Sequence, residues 1–338
     1  MSVYFILIFS TFLGSILENK KKTYKKIIKY SQYIYILFFF IIIVFNRDNS
    51  DYKNYVAIFS GTYGVLKEKG YIYFNKLIQT LGGNYNIIPF IMGLFMVYVL
   101  FKKYDVKEKI TLIFIYSIHN LIFDIIQVRN TFCVFFILIG IIFLQNHKEI
   151  KYLIINFIAT SFHTIGVVYF IFYILTKINL KIYNLLLIFT NIINLLLINK
   201  YLYLLKEIFP TKTYYIENNF NYGVFIFYLL SFIDILLILF IERKKKKNRE
   251  KELYIKFILF PIFFLPFGVF HGELIQRIWR NAFLLKIIYC LKFSNKKKKI
   301  VISLLVLQQI VYLGIRLWKA PEFIISLLEQ FNNIEFYF

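Results

Sequence analysis

The chain has 338 residues, 59% of them hydrophobic and 21% aromatic, with a mean hydropathy of +0.65. Soluble domains are roughly 45–50% apolar, so this composition excludes an ordinary water-soluble domain. The formal charge of +23 would suggest nucleic acid in a soluble protein. Here the lysines fall in short blocks between apolar runs, which is the pattern that orients membrane helices and not a nucleic-acid footprint.

Apolar runs recur along the whole length, and a bilayer needs about 20 such residues per helix. The expected fold is all-α: a polytopic transmembrane helical bundle of about 10–12 spans, forming one integral membrane domain over residues 1–338. The first run, Ser2–Leu17, lacks a basic leading segment and a small-residue cleavage site, so it reads as a retained helix and not a signal peptide. Its span, about Val3–Leu17, is followed by ENKKKTYKKIIKY, which carries six lysines. A second span at Ser31–Phe45 ends in a polar, charged stretch, Phe45–Tyr73. Further spans are expected near Ile87–Phe101, Ile110–Phe123 and Thr131–Gln145. Beyond them come Tyr183–Asn199, Tyr222–Ile241, Leu253–Phe270, Ile278–Leu291 and Ile300–Trp318.

Lysine-rich connections belong in the cytoplasm. Blocks at 19–29, 102–109, 147–151, 243–251 and 296–299 therefore go inside. Alternation puts the N-terminus, 46–86, 118–130, 200–221, 271–280 and the C-terminal tail outside. One parity constraint remains, because blocks 147–151 and 243–251 must be joined by an even number of crossings. Counting Tyr152–Leu175 as one helix gives three, yet its middle reads SFHTIG, where a helix can break. We expect Tyr152–Phe162 and Thr164–Leu175 to form a short hairpin entering from inside, with His163 at its tip. A single uninterrupted helix is the alternative.

With this topology the distinctive polar residues gather outside. Charged residues at membrane depth are costly and mark pathways or sites. Arg129 opens a helix just after Asp124 and Gln127. It is either a snorkelling side chain paired to Asp124 or a planar guanidinium suited to phosphate. Arg277 and Arg280 share a helical face with Glu273 four residues before Arg277, giving either an internal Glu273–Arg277 pair or a diphosphate clamp. His163 is a helix-breaking residue or, titrating near neutrality, a general base or donor. Asp48 and Asp51 either orient an acceptor hydroxyl or solvate their loop. Tyr52, Tyr55 and Tyr71 belong to an interfacial belt or stack on sugar rings. Asp234 reads as a lone charge in mid-helix, and Cys133 and Cys290 as small hydrophobes without zinc spacing.

Nucleotide-loop, dinucleotide and H-E-x-x-H motifs are absent from the sequence, and no D-x-D pair falls outside. No metal or cofactor is expected. A transporter would show internal repeats and several buried charges, and neither is visible.

The ordered set NRDNSDYKNYVAIF, EKGYIYFNKLI, DIIQVRN and SFHTIG resembles the EpsG family of polysaccharide polymerases, relatives of the Wzy-type O-antigen and capsule polymerases. Arg47, Asp51, Tyr52 and Tyr55 match the first element, and Glu68, Gly70 and Tyr71 the second. Gln127 and Arg129 match the third, Phe162 and His163 the fourth, and Glu273 with Arg277 a later E-R pair. The chain departs from the family at Asn130, where Gln is commoner, at Phe132-Cys133, and at Ala320-Pro321-Glu322. The resemblance covers about residues 1–320.

The resemblance implies a multi-pass enzyme of the bacterial cytoplasmic membrane with its catalytic loops facing outside. Its substrate would be an undecaprenyl-diphosphate-linked glycan, drawn from membrane lipid. A flippase and a chain-length regulator would be its protein partners. Arg129 would neutralise the diphosphate leaving group, and Asp51 or His163 would take the acceptor's proton. Arg47, Tyr52, Tyr55, Glu68, Tyr71, Gln127, Glu273, Arg277 and Arg280 would bind substrate. A lipid-linked glycosyltransferase or O-antigen ligase shares these features, and an exporter is the remaining alternative.

Overall fold

Apolar side chains at helical spacing, with few prolines or glycines to interrupt them, leave the backbone little choice but helix. In the computed structural model every regular element among the described residues is helical. Those residues are 3–18, 25–45, 51–62, 68–197, 223–242, 248–269, 272–294 and 298–319. The chain divides into two compact units, Met1–Val167 with Asn295–Phe338, and Val168–Ser294.

The first unit opens with α1 (Val3–Glu18) and α2 (Lys25–Val44). Short helices α3 (Tyr52–Ser60) and α4 (Lys69–Thr80) follow, then α5 (Ile87–Val97), which widens into a π turn at Tyr98–Lys103. Glu18 ends α1 and is buried. Its carboxylate accepts the Ile110 and Thr111 backbone N–H groups at 3.3 and 2.9 Å, and the Thr111 hydroxyl at 2.9 Å. A carboxylate thus satisfies the orphan donors at the start of α6 (Lys109–Ser117), where the helix dipole favours it.

The span expected at Ile110–Phe123 is not straight. α6 and α7 (Asn120–Ile126) meet at 74°. His119, between them, has φ −142° and ψ −52°, outside the helical range. The Ser117 carbonyl loses its helical donor there and accepts the Tyr4 hydroxyl instead. An apolar interior tolerates a helix break only when such freed groups find partners.

α8 (Val128–Gln145) and α9 (Glu149–Phe162) pack side by side. Gly140 allows this, since a Cβ there would lie 2.9 Å from the Tyr152 ring. After α9 the helix stops, as the SFHTIG pattern predicts. His163 is extended (φ −153°, ψ 130°), and a 3-10 turn, Thr164–Val167, follows. Gly166 sits so close that a Cβ would meet the Thr160 backbone at 2.7 Å, which a continuous helix does not permit. The uninterrupted-helix alternative is therefore wrong.

The second unit holds α10 (Val168–Thr176), α11 (Leu180–Leu196), α12 (Gly223–Glu242), α13 (Arg249–Leu259) and α14 (Gly272–Phe293). The helix expected at Leu253–Phe270 turns into a 3-10 segment at Phe260–Val269. Pro261 and Pro266 each lack the N–H that an α-helix would use. α15 (Lys298–Lys319) returns to the first unit.

Among the described residues Lys26–Val44 and Val128–Gln145 are long and apolar enough to cross a membrane, and the bent α6–α7 pair adds a third if it is one broken span and not a re-entrant loop. Val3–Glu18, Thr164–Thr176, Leu180–Asn194 and Ile226–Ile241 are shorter apolar helices. Their outward faces carry large apolar side chains, among them Phe9, Ile34, Phe189 and Leu239. Such faces suit lipid better than water.

Candidate functional site

The polar residues of the first unit that the motifs single out meet where α3, α4, the first turn of α8 and the end of α9 come together. α3 is closed by Gly61 in the left-handed region (φ 77°), whose N–H returns to Ala57 and Ile58. A residue with a Cβ is strained there, so glycine is the natural end. α4 lies against α9 at Gly70, where a Cβ would fall 2.1 Å from Ser161 Oγ. That close approach explains why the E-x-G-Y motif needs its glycine.

Arg129 lies at the centre. Its Nη1 is 3.0 Å from the Glu68 carboxylate, and the two side chains are 24% and 11% exposed. The guanidinium carbon sits 5.7 Å from the centre of the Tyr55 ring. Tyr55 stacks nearly parallel on Tyr85 at 6.5 Å and edge-on to Tyr71 at 6.0 Å. Tyr52 meets Tyr85 at 5.3 Å, and its hydroxyl donates to Asn86 Oδ1 at 3.4 Å. Tyr71 continues the chain of rings to Phe162 at 6.3 Å.

Burial, above all, pushes the hydroxyls of Tyr55, Tyr71 and Tyr85 above the usual tyrosine range. Arg129 works the other way on Tyr55, and the negative charge of Asp51 adds to the rise. The tyrosines therefore remain neutral hydroxyls around the arginine. Asp51 stands just before α3, half-buried, close enough for its charge to act on Tyr55 and Tyr85.

His163, at the end of α9, lies against α8 one helical turn beyond Arg129. Cys133, four residues after Arg129, points its thiol at the His163 carbonyl at 3.8 Å. The His163 ring turns inward, and its Nδ1 accepts the Ile165 N–H at 3.2 Å. In the neutral ring this places the proton on Nε2. In this pose the side chain is a donor and a turn cap.

Several expectations change here. Arg129 pairs with Glu68, not with Asp124. Asp124 is buried and accepts the Tyr116 hydroxyl, while its carbonyl accepts Thr131 Oγ1. Tyr55 and Tyr71 are buried among other rings, so they hold the arginine and have little face to offer a sugar; Tyr52 is more open. Gln127 is the non-helical joint between α7 and α8 (φ −91°, ψ 61°). Tyr85, Asn86 and Ser161 were not singled out from sequence. Only the position of Tyr85-Asn86 at the foot of an apolar run hinted at them.

In the second unit Arg277 is half-buried and Arg280 buried on α14. Arg47 and Asp48 lie outside the described residues, as does the side chain of Glu273. Asp234 is not alone: it binds Lys286 at 2.7 Å, each side chain 3% exposed. Lys286 also lies 4.5 Å from the Trp279 ring and 4.3 Å from Phe283. Among the described residues no group of three or more His, Cys, Asp and Glu side chains is placed to hold a metal ion.

Apolar helices of spanning length mark a membrane protein, and a partly exposed arginine held by a carboxylate over tyrosine forms its polar cluster. The chain belongs to the EpsG family, whose model matches residues 29–329. That range contains every candidate residue from Arg47 to Arg280. No curated protein and no solved structure matches the chain.

Proposed function

We propose that the protein is a polysaccharide polymerase that joins undecaprenyl-diphosphate-linked repeat units on the outer face of the cytoplasmic membrane. The observation that carries this reading is Arg129, held by Glu68 and Tyr55 yet one-quarter exposed, in a chain of the EpsG family. A planar guanidinium with an open edge suits a diphosphate. Glu68 occupies the arginine until that anion arrives.

The chemistry is a displacement at the anomeric carbon of the growing glycan. The hydroxyl of the next repeat unit attacks, a new C–O bond forms, and the bond to the diphosphate oxygen breaks. The lipid diphosphate leaves with its electron pair, stabilised by Arg129 as charge develops. Asp51 takes the hydroxyl proton. His163, a donor in the observed pose, fits hydrogen bonding and turn formation better than proton abstraction. Arg47, Tyr52 and Gln127 serve as further substrate contacts of the first unit; Glu273, Arg277 and Arg280 of the second unit bind substrate by their motif match alone.

In this reading the shorter apolar helices also cross the bilayer, giving about 10–12 spans with the lysine blocks inside and the N-terminus and site outside. A flippase would supply the substrate and a chain-length regulator would act on the product. Deleting the gene and sizing surface polysaccharide tests the proposal. Loss of long chains with single repeats retained is the expected result. Unchanged chains that fail to reach their acceptor would mark a ligase, and complete loss of surface glycan an exporter.

A further inference from the structure

Arg129 is presented by the joint between α7 and α8, and that joint is stitched from a distance. The Asp124 carboxylate, 5% exposed, accepts the Tyr116 hydroxyl from α6 across the 74° bend. The Asp124 carbonyl accepts Thr131 Oγ1 from the first turn of α8. Gln127 N–H returns to Phe123 at 2.8 Å and Thr131 N–H to Gln127 at 3.0 Å. Arg129 lies between these anchors, two residues before Thr131. A buried carboxylate costs desolvation energy that an apolar residue filling the same space would not. What the carboxylate adds is a directional tie across the bend, through the Tyr116 hydroxyl it accepts.

We propose that Asp124 and Tyr116 are positioning residues for Arg129. They set the direction in which the first turn of α8 offers its guanidinium to the anionic substrate, a role that rests on the polymerase reading. Neither touches the reacting atoms. Misplacing a positioning group by about 1 Å can cost a hundredfold in rate. Tyr116→Phe and Asp124→Ala should therefore lower polymer formation per folded molecule by roughly ten- to a hundredfold. Asp124→Asn keeps an oxygen that accepts the Tyr116 hydroxyl and should recover most of the loss.

The test uses the full chain in detergent and reads two quantities on the folded, monodisperse fraction. One is polymer formed from lipid-linked repeats. The other is the rate at which phenylglyoxal modifies Arg129, mapped by peptide mass spectrometry with Arg277 of the second unit as internal reference. A changed Arg129 rate in Tyr116→Phe and Asp124→Ala, an unchanged Arg277 rate and recovery in Asp124→Asn are the expected results. An Arg129 rate equal to wild type in both disruptive variants overturns the proposal. So does a fall in thermal midpoint while polymer formation per folded molecule stays at the wild-type level, because that marks a purely structural bond. If wild type itself makes no polymer, the polymerase reading fails, and the modification rates still decide whether Asp124 and Tyr116 position Arg129.

Discussion

Among the ion pairs of the described residues, Arg129–Glu68 in the first unit and Lys286–Asp234 in the second differ most instructively in exposure. Arg129–Glu68 is partly open, with side chains 24% and 11% exposed. Lys286–Asp234 is closed, at 3% each, and shielded by Trp279 and Phe283. An open pair can exchange its carboxylate for a ligand anion at small cost. A closed pair cannot, because separating buried charges leaves each without solvent. The contrast fits the proposed binding role of the first pair, while the second ties α12 to α14.

The largest expected effect breaks the closed pair. Lys286→Met should destabilise the protein by about 3–5 kcal/mol by stranding the Asp234 charge. Adding Asp234→Leu should restore the thermal midpoint, since an apolar pair of similar volume is often neutral or stabilising. A single variant as stable as wild type would show that the pair is not closed.

Gly70→Ala comes next. Its Cβ would lie 2.1 Å from Ser161 Oγ, 2.7 Å from Ser161 Cβ and 3.0 Å from the Ser161 carbonyl carbon, so α4 must move off α9. Overpacking of this kind costs about 1–3 kcal/mol. The thermal midpoint should fall, and Ser161→Gly in the same chain should return part of it.

The tyrosine cluster makes a pH prediction. Tyrosine in an unfolded chain ionises near pH 10, whereas burial holds Tyr55, Tyr71 and Tyr85 protonated to higher pH in the folded state. Between those limits the folded state binds more protons, so the cluster's contribution to stability is constant below about pH 10 and falls above it. Tyrosinate absorbance and unfolding midpoints measured together check this. Full ionisation before any unfolding would contradict the buried cluster.

The smallest stability effect belongs to the open pair. Glu68→Gln should cost under about 1 kcal/mol, as partly exposed pairs do, while altering the affinity for lipid-linked substrate. A loss as large as that of Lys286→Met would collapse the distinction between the two pairs.

Much of this was legible in the sequence, for local reasons. Apolar runs marked the long helices but not α3 and α4, which lie in the stretch read as a polar loop, and SFHTIG marked the break at His163, because apolar runs and helix breaks are decided within a few residues. The E-x-G-Y and Q-x-R motifs pointed to Glu68 and Arg129 separately. Their pairing spans 61 residues and was not readable, so Asp124 looked like the natural partner. The same limit hid Asp234–Lys286, which are 52 residues apart. The bend at Ser117–Asn120 was missed because the Tyr4 hydroxyl that stabilises it comes from the far end of the unit.

The central claim is that Arg129 serves the diphosphate with its planar fork. Purified wild type and Arg129→Lys, supplied with undecaprenyl-diphosphate-linked repeats, should be compared by sizing the glycan products. A ladder is expected from wild type and only single repeats from Arg129→Lys at an unchanged thermal midpoint, because lysine keeps the charge and loses the bidentate geometry. A normal ladder from Arg129→Lys would contradict it.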